Sequence, residues 1–579
     1  MEKNLDTIRH SVSHVAAAAV KQLFPGVKFA IGPTIGEGFY YDFDLPRALT
    51  PADLPKIEKR MAELIKQNLP FERYEVPFQK AVEMASEQPY KRELINELKS
   101  KNETISFYKV DGFVDLCRGP HIANTKEINP KAFKLIKIAG AYWRGNEKNK
   151  MLQRIYGTAF LTENELKKYL EQKEEAEKRD HRKLGYDLEL FTFSDLIGKG
   201  LPLYTPRGSL LRRMLNDYVE EIQTAQNYEQ VWTPQIAKAK LFKISGHYDK
   251  YREGMFRVIS NYSDEEFYLK PMNCPQHTQI YNSRPRSYKD LPLRYTDFAM
   301  LYRDEKPGEL SGLARVRSFS QDDCHIFCRE DQVDKEIDTM LAMIKKIMKT
   351  FNLKYRYRLS TRDLKNTKQY LGDPKIWDKA EKWAVKIMQR NKIDYFDAPG
   401  EAAFYAPKMD LMATDALGRE WQLSTIQIDY VMPERFGLEY TDEKGQKKRP
   451  VMLHRAIIGS PERFLMVLIE QYAGAFPVWL APIQVQIIPV GSKHVKFSEK
   501  LGQQFRKENL RVEVDDVNET VGYKIRKAEK MRVPYMLVIG DKEMKAKSLA
   551  IRDRGKKAVR KVALKKFIAE VKKKIEDKK

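Results

Sequence analysis

A chain of 579 residues and 67.8 kDa is longer than one hydrophobic core organises, so three or four domains are expected. With 42% hydrophobic and 11% aromatic residues it is neither disordered nor fibrous, and no run approaches the roughly eighteen apolar residues of a membrane span. The 104 Lys and Arg against 80 Asp and Glu leave a formal charge of +24, which points to a polyanionic partner, nucleic acid first.

The N-terminus, MEKNLDTIRHSVSH, lacks the basic-then-apolar pattern of a secretory signal, so a cytoplasmic protein is expected. Four cysteines, Cys117, Cys274, Cys324 and Cys328, have neither the number nor the spacing of a disulfide framework. They point instead to metal binding or chemistry in a reducing compartment. The first predicted helix runs from Ile8 to Leu23, ends at Phe24-Pro25-Gly26, and puts His10 and His14 on one face. A Gly-rich passage from Ile31 to Phe43 and a helix near Leu54 to Gln67 follow, then mixed elements up to Cys117-Arg-Gly-Pro-His121. Four N and S ligands at these spacings fit a metal or a polar hydrolytic pocket, while His10 and His14 also suit an ordinary exposed helix face. Thr162-x-x-Glu165 reads as a capping box opening a highly charged connector helix, with Gly185 as its stop.

From Leu184 to Leu480, β-prone runs alternate with amphipathic helices at hairpin spacings, which predicts an antiparallel sheet with helices. Neither GxGxxG after a strand nor GxxxxGK[ST] occurs, so a bound ATP would use neither glycine-rich cradle. The stretch from Phe298 to Cys328 reads as a long hairpin whose loop spans Lys306 to Gly312. Arg303 and Glu305 fall at the end of its first strand, and Arg315 and Arg317 are expected two apart on the second, sharing a face. Such arginines suit phosphate, or equally a solvated strand with surface ion pairs. Cys274, His325 and His454 form a set that zinc accepts with one position left open, but Cys324, Cys328 and His277 compete on spacing alone. Gln484 to Lys579 alternates strand and helix, predicting a small α/β domain with a parallel core. Its last part, from Met544, holds fifteen basic and four acidic residues.

YRDE...GLARVRSFSQDDCHIF, KPMNCP, FYAPKMDL from Phe404 and PVMLHRAIIGSPERF from Pro450 together resemble the threonyl-tRNA synthetases, a class II family. HSVSH and LCRGPH match the family's N-terminal editing domain, AYWRGNEKNKMLQRIYGTAF its closing strands, and VGYKIRKAEKMRVPYMLVIGDKE its anticodon-binding domain. The resemblance covers essentially the whole chain. It implies an α+β multidomain protein: an editing domain over 1–160, a linker helix over 161–184, a class II antiparallel-sheet catalytic domain over 185–480 and an α/β anticodon-binding domain over 481–579. Two departures stand out. The small ubiquitin-like domain that often precedes the editing domain is missing, and Ser311 stands where the family usually has His.

Carried over by position, the resemblance makes Cys274, His325 and His454 the ligands of one zinc per subunit, which holds threonine by its amino group and hydroxyl. Asp323 would accept from that hydroxyl, with Gln321 beside the amino acid. Arg303 and Arg463 would act on the α-phosphate of ATP from opposite sides, with Mg²⁺. Arg315 would face the ATP tail, Glu305 would be among the residues that bind substrate or ATP, Phe319 would stack on adenine, and Tyr405, Lys408, Gln422 and Thr425 would complete the walls. His10, His14, Cys117 and His121 would form the editing site, Glu543 and Arg552 would read the anticodon, and Pro234 would mark the interface of a homodimer. The implied partners are threonine tRNA, ATP and L-threonine, without a membrane. Two other classes compete: a zinc-dependent RNA-binding protein without catalysis, and a free-standing tRNA-editing hydrolase that would need only residues up to about Phe160.

Overall fold

The computed structural model describes residues 5–579; Met1–Asn4, which open the N-terminal reading above, lie outside the described residues. The chain forms two compact units, 1–175 and 176–579.

In the first unit, α1 (Leu5–Leu23) is buried along most of its length, Ile8 and Val12 through Val20 included. Its alanine run gives a thin, high-propensity helix that can be enclosed from several sides. β1 (Gly38–Asp44) directs Phe39, Tyr41 and Phe43 against it by strand alternation. α2 (Leu54–Lys66) closes this core with Ile57, Met61 and Leu64, at a spacing of three to four residues. A three-stranded antiparallel sheet of Glu72–Glu75, β2 (Ser106–Val110) and β3 (Phe113–Leu116) carries the chain to Cys117. β4 (Phe133–Tyr142) and β5 (Met151–Ala159) complete the main sheet, in the order Lys28–Phe29, β1, β5, β4.

α3 (Glu163–Arg179) opens with the expected box: Thr162 N donates to Glu165 at 2.9 Å, and Glu165 N to Thr162 Oγ1 at 3.2 Å. Its stop differs from the expectation. The helix ends at Arg179 and Asp180 caps a new one, α4 (His181–Asp187), by accepting from Arg182 N at 2.8 Å. Gly185 lies inside α4, where a Cβ would sit 2.2 Å from the Phe191 ring. It is a packing glycine, not a terminator.

The second unit is built on an eight-stranded sheet in the order Glu229–Gln230, β6 (Leu293–Tyr302), β7 (Ser318–Cys328), β11 (Val451–Ala456), β10 (Glu420–Asp429), β9 (Lys408–Thr414), β8 (Lys354–Thr361) and Tyr395–Pro399. Its pairings are antiparallel except for the two outermost, so the sequence expectation of an antiparallel sheet holds. α5 (Pro206–Thr224), α6 (Val333–Thr350) and α7 (Pro461–Gln471) supply Leu215, Val219, Ile337, Ile344, Phe464 and Leu468 to its large core. Residues 485–576 add a five-stranded sheet, order β13 (Val512–Val514), β12 (Val485–Pro489), β14 (Tyr535–Ile539), β15 (Leu549–Asp553), β16 (Val559–Val562). Its first two pairings are parallel, as expected, and the last two antiparallel. No described helix is long and apolar enough to cross a membrane.

Candidate active site

β6 and β7 pair in continuous register from Leu293↔Phe327 to Tyr302↔Ser318, and strand alternation puts Gln321, Asp323 and His325 on one face of β7. The next strands bring His454 opposite His325, Gln427 opposite His454 and Thr425 opposite Ala456. Over this face opens a cavity of about 360 Å³ lined by Arg303, Glu305, Arg315, Phe319, Gln321, Gln422, Thr425 and Arg463, with Leu313, Ala314, Gly459 and Ser460. Eight residues singled out from separate stretches of sequence thus share one wall.

Two guanidinium groups dominate it. Arg303 lies 5.0 Å from the Phe319 ring centroid, and its buried Nε has no protein acceptor. Arg463, in the first turn of α7, donates through Nε to Ala314 O at 3.1 Å and through Nη1 to Gln422 O at 3.3 Å. Burial, then the nearby Arg303 and Arg315, lower its pKa below the usual arginine range. Clustered cations in a partly enclosed site are stabilised by an anionic ligand. Arg315 holds Glu305 and Glu309 at 2.8 and 2.9 Å on the rim. Arg317 departs from the expectation: both arginines precede β7, which begins only at Ser318, so strand alternation does not apply to them. Arg317 binds Glu305 O at 2.9 Å and stands outside the cavity lining.

The walls have an organiser that sequence reasoning missed. Asp410, fully buried, accepts from Gln422 Nε2 at 2.8 Å, Thr425 Oγ1 at 2.9 Å, Ser360 Oγ at 2.9 Å and Arg358 Nη2 at 3.0 Å. Lys408 Nζ lies 3.5 Å from the same carboxylate and does not line the cavity. The available signal was Lys408-x-Asp410 on a strand, two residues on one face.

Beyond Gln321 on the same face lies the first cluster, Cys274, His325 and His454, whose ligand atoms all lie within 4.8 Å of one another. Cys274 is the first residue of the helix Cys274–Asn282, and the histidines come from paired strands. His454 Nε2 donates to Asp429 at 2.8 Å, leaving Nδ1 as the lone-pair nitrogen. His325 Nδ1 lies 2.8 Å from His277 Nδ1, whose Nε2 accepts from Asn273 Nδ2 at 2.8 Å, so His277 donates to His325 and fixes its ring. The competitors fall away by position: His277 supports His325, while Cys324 and Cys328 are buried in the large core. One thiol and two oriented imidazoles fit Zn²⁺ with an open position. Burial raises the Cys274 thiol well above its ordinary range, an effect a bound cation reverses. Asp323 lies 3.8 Å from His325 Nε2, and burial with Asp297 and Asp322 nearby pushes its carboxyl up to about 8. Tyr405 packs 5.0 Å from the His454 ring and donates to Gln427 Oε1 at 3.0 Å. Asp429 was invisible in sequence, because its partner lies 25 residues away on another strand.

The second cluster, in the first unit, joins His10, His14, Cys117 and His121. His10 and His121 each present Nε2 to Cys117 Sγ at 3.4 Å. Their other nitrogens are engaged, His10 Nδ1 with Pro120 O at 3.2 Å and His121 Nδ1 with Ser11 Oγ at 3.0 Å. Ser11 donates to Thr7 O, so it accepts from His121. Burial lowers the pKa of all three imidazoles and pushes the Cys117 thiol up to about 11. The histidines are therefore not an exposed helix face. Behind them, also unforeseen, Asp115 accepts from Tyr41 at 2.5 Å, is ion-paired with the buried Lys91, and lies 3.7 Å from His14 Nε2.

Glu543 and Arg552 lie in the C-terminal sheet region of the second unit. Glu543 accepts from Gly540 N at 3.0 Å, and Arg552 pairs with Glu529 at 2.6 Å.

Three known domains match: the tRNA synthetase class II core domain (G, H, P, S and T) over residues 256–472, the anticodon binding domain over 484–574, and the threonyl and alanyl tRNA synthetase second additional domain over 105–156. Threonine–tRNA ligase of Dehalococcoides mccartyi (strain CBDB1) is 48% identical over 95% of this chain and 93% of its own length. That of Rubrobacter xylanophilus is 47% identical over 96% and 86%. A crystal structure of the RNA binding domain of threonyl-tRNA synthetase from Cryptosporidium parvum Iowa II is 35% identical, with a TM-score of 0.65 over 68% of this chain and 98% of that one. On this identity and coverage, the chain belongs to the threonine–tRNA ligase family.

Proposed function

We infer that the protein is a threonine–tRNA ligase, activating L-threonine with ATP, transferring it to threonine tRNA, and hydrolysing mischarged seryl-tRNA in its editing domain. The observation that carries this is the convergence, in a chain similar to such ligases throughout, of Arg303 and Arg463 on one cavity beside Cys274, His325 and His454. A non-catalytic RNA-binding protein has no use for facing arginines from two distant motifs. A free-standing editing hydrolase has no use for the second unit.

Attack of the threonine carboxylate on the α-phosphate builds negative charge on phosphoryl oxygens. Arg303 and Arg463 are placed to stabilise it without a general base, and ATP enters with Mg²⁺. Glu305 and Arg315 face the ATP tail, Phe319 stacks on adenine, and Gln422 and Thr425, fixed by Asp410, form the wall, with Lys408 behind. Cys274, His325 and His454 would hold Zn²⁺, one per subunit, which when bound supplies Lewis acidity and an open position for the amino group and hydroxyl of threonine. Asp323 accepts from that hydroxyl, and Gln321 and Tyr405 line the amino-acid end. His10, His14, Cys117 and His121 position the tRNA 3′ end and a water; a thiol held at about 11 supports positioning over nucleophilic attack. Glu543 and Arg552 read anticodon bases once released from Gly540 and Glu529. A cytoplasmic homodimer through the Pro234 face is in keeping with its neighbour Trp232, which is 76% exposed.

The test is ATP–pyrophosphate exchange with threonine. Arg303→Ala and Arg463→Ala should each lower it on the order of 10²- to 10³-fold while threonine still binds. Near-parental exchange by either variant removes that arginine from the mechanism.

A further inference from the structure

His181 is none of the residues assigned above, yet it touches the loop that lines the cavity. It opens α4 and is 5% exposed. Its Nδ1 lies 2.7 Å from Glu470 Oε1, which also accepts its main-chain N–H at 3.2 Å. Its Nε2 lies 3.0 Å from Leu313 N. A main-chain amide only donates, so Nε2 carries the lone pair and the ring proton sits on Nδ1, given to the carboxylate. The loop comes this close because of Gly312, whose φ is +48 and at which a Cβ would stand 2.1 Å from Nε2.

The residue after Leu313 completes the circuit. Ala314 O accepts from Arg463 Nε at 3.1 Å, and Arg463 and Glu470 lie on the same helix, α7, about two turns apart. Residues 312–314 are therefore tied to one helix at two points, through His181 and through the guanidinium of Arg463. Glu470 is itself held from the far side by Arg419, which also pairs with Asp415 at 2.6 Å. Without the His181 ring, the buried Leu313 N–H loses its partner, and the Ala314 carbonyl that orients Arg463 keeps only the loop's own bonds, such as Ala314 N to Ser311 O at 2.8 Å.

We propose that His181 is a positioning residue for adenylate formation: it fixes the Ala314 carbonyl, and through it the direction in which Arg463 presents its remaining N–H groups to the cavity. The proposal rests on the role given to Arg463 above.

The test compares His181→Leu, which keeps volume but neither hydrogen bond, with His181→Gln, whose amide carries one acceptor and one donor, in the full-length enzyme. In ATP–pyrophosphate exchange, His181→Leu should lower kcat by up to about 10²-fold, the scale of a misplaced catalytic group, with the KM for threonine unchanged. His181→Gln should recover most of the loss. In an Arg463→Ala background, His181→Leu should add nothing, because its effect runs through that side chain. Parental exchange by His181→Leu, equal losses in the Leu and Gln variants, or additive losses with Arg463→Ala would each overturn the proposal. Parental exchange by Arg463→Ala alone would overturn the reading beneath it instead.

Discussion

The two clusters are built from the same residue types, histidine and cysteine, and differ in what stands behind them. In the second unit, His454 donates to the buried carboxylate of Asp429, and Asp323 lies 3.8 Å from His325. The Asp429 carboxylate behind His454 favours an added cation, whereas Asp323, its carboxyl pushed up to about 8, adds little charge at neutral pH. In the first unit the equivalent carboxylate, Asp115, is already matched by Lys91, whose ammonium also lowers the pKa of His14. A fixed positive charge in that position opposes a second one. Scaffold differs as well: two ligands of one cluster sit directly opposite on paired strands, whereas the other joins one helix to the Cys117–His121 loop. The proposed difference in metal binding therefore rests on the charge behind each set of Cys and His side chains and not on the set itself.

The comparison breaks most sharply if metal content does not follow it. Purified protein should carry one zinc per chain, Cys274→Ala should carry none and lose threonine activation, and Cys117→Ala should keep both; elemental analysis with the exchange assay decides. Next in size is the editing effect. A zinc that took an amino group and a hydroxyl would reject serine, which lacks only a methyl, by no more than about 10- to 200-fold, too little for accurate translation. Replacing His10 and Cys117 together with Ala should leave threonine charging intact while seryl-tRNA accumulates, and clearance at the parental rate would move editing away from this cluster.

Asp429→Asn sharpens the contrast, since it removes the charge but keeps the shape. Zinc affinity, read by chelator competition, should fall about 10- to 100-fold, as is usual when such a supporting group is lost. Unchanged affinity would mean that the carboxylate only fills space. The smallest effect belongs to Tyr41→Phe, which deletes one of the hydrogen bonds to Asp115. It should cost about 1 kcal/mol in unfolding of the first unit and leave zinc content untouched.

What was legible in the sequence follows from the range of the interactions. The Thr162–Glu165 cap, the α1 periodicity and the β6–β7 hairpin depend on neighbours a few residues apart, and they were foreseen. The break at Asp180 was missed because Gly185 was read by its backbone freedom, when its role is to admit the Phe191 ring. Arg315 and Arg317 were given strand alternation although both precede Ser318, where β7 begins. The Cys274 cluster could not be singled out by spacing, since its members meet only through sheet register, and it took likeness to a family to choose them over His277, Cys324 and Cys328. Asp410, Asp429 and His181 act through partners 12 or more residues distant, and only Asp410 left a local mark, its Lys408-x-Asp410 spacing.

The separation of those three ligands along the chain also sets a clock. Cys274 and His454 are 180 residues apart (454 − 274), and His454 reaches the cluster only by pairing its strand with that of His325. At a synthesis rate of about 5–20 residues per second, the thiol waits roughly 10–40 s on the ribosome before its last companion is made. Throughout that interval its thiol lacks the complete set of proposed ligand partners. Under the proposed zinc assignment, the ligand set is complete only once His454 is made, so capture of the ion cannot serve as the nucleus of this unit's folding.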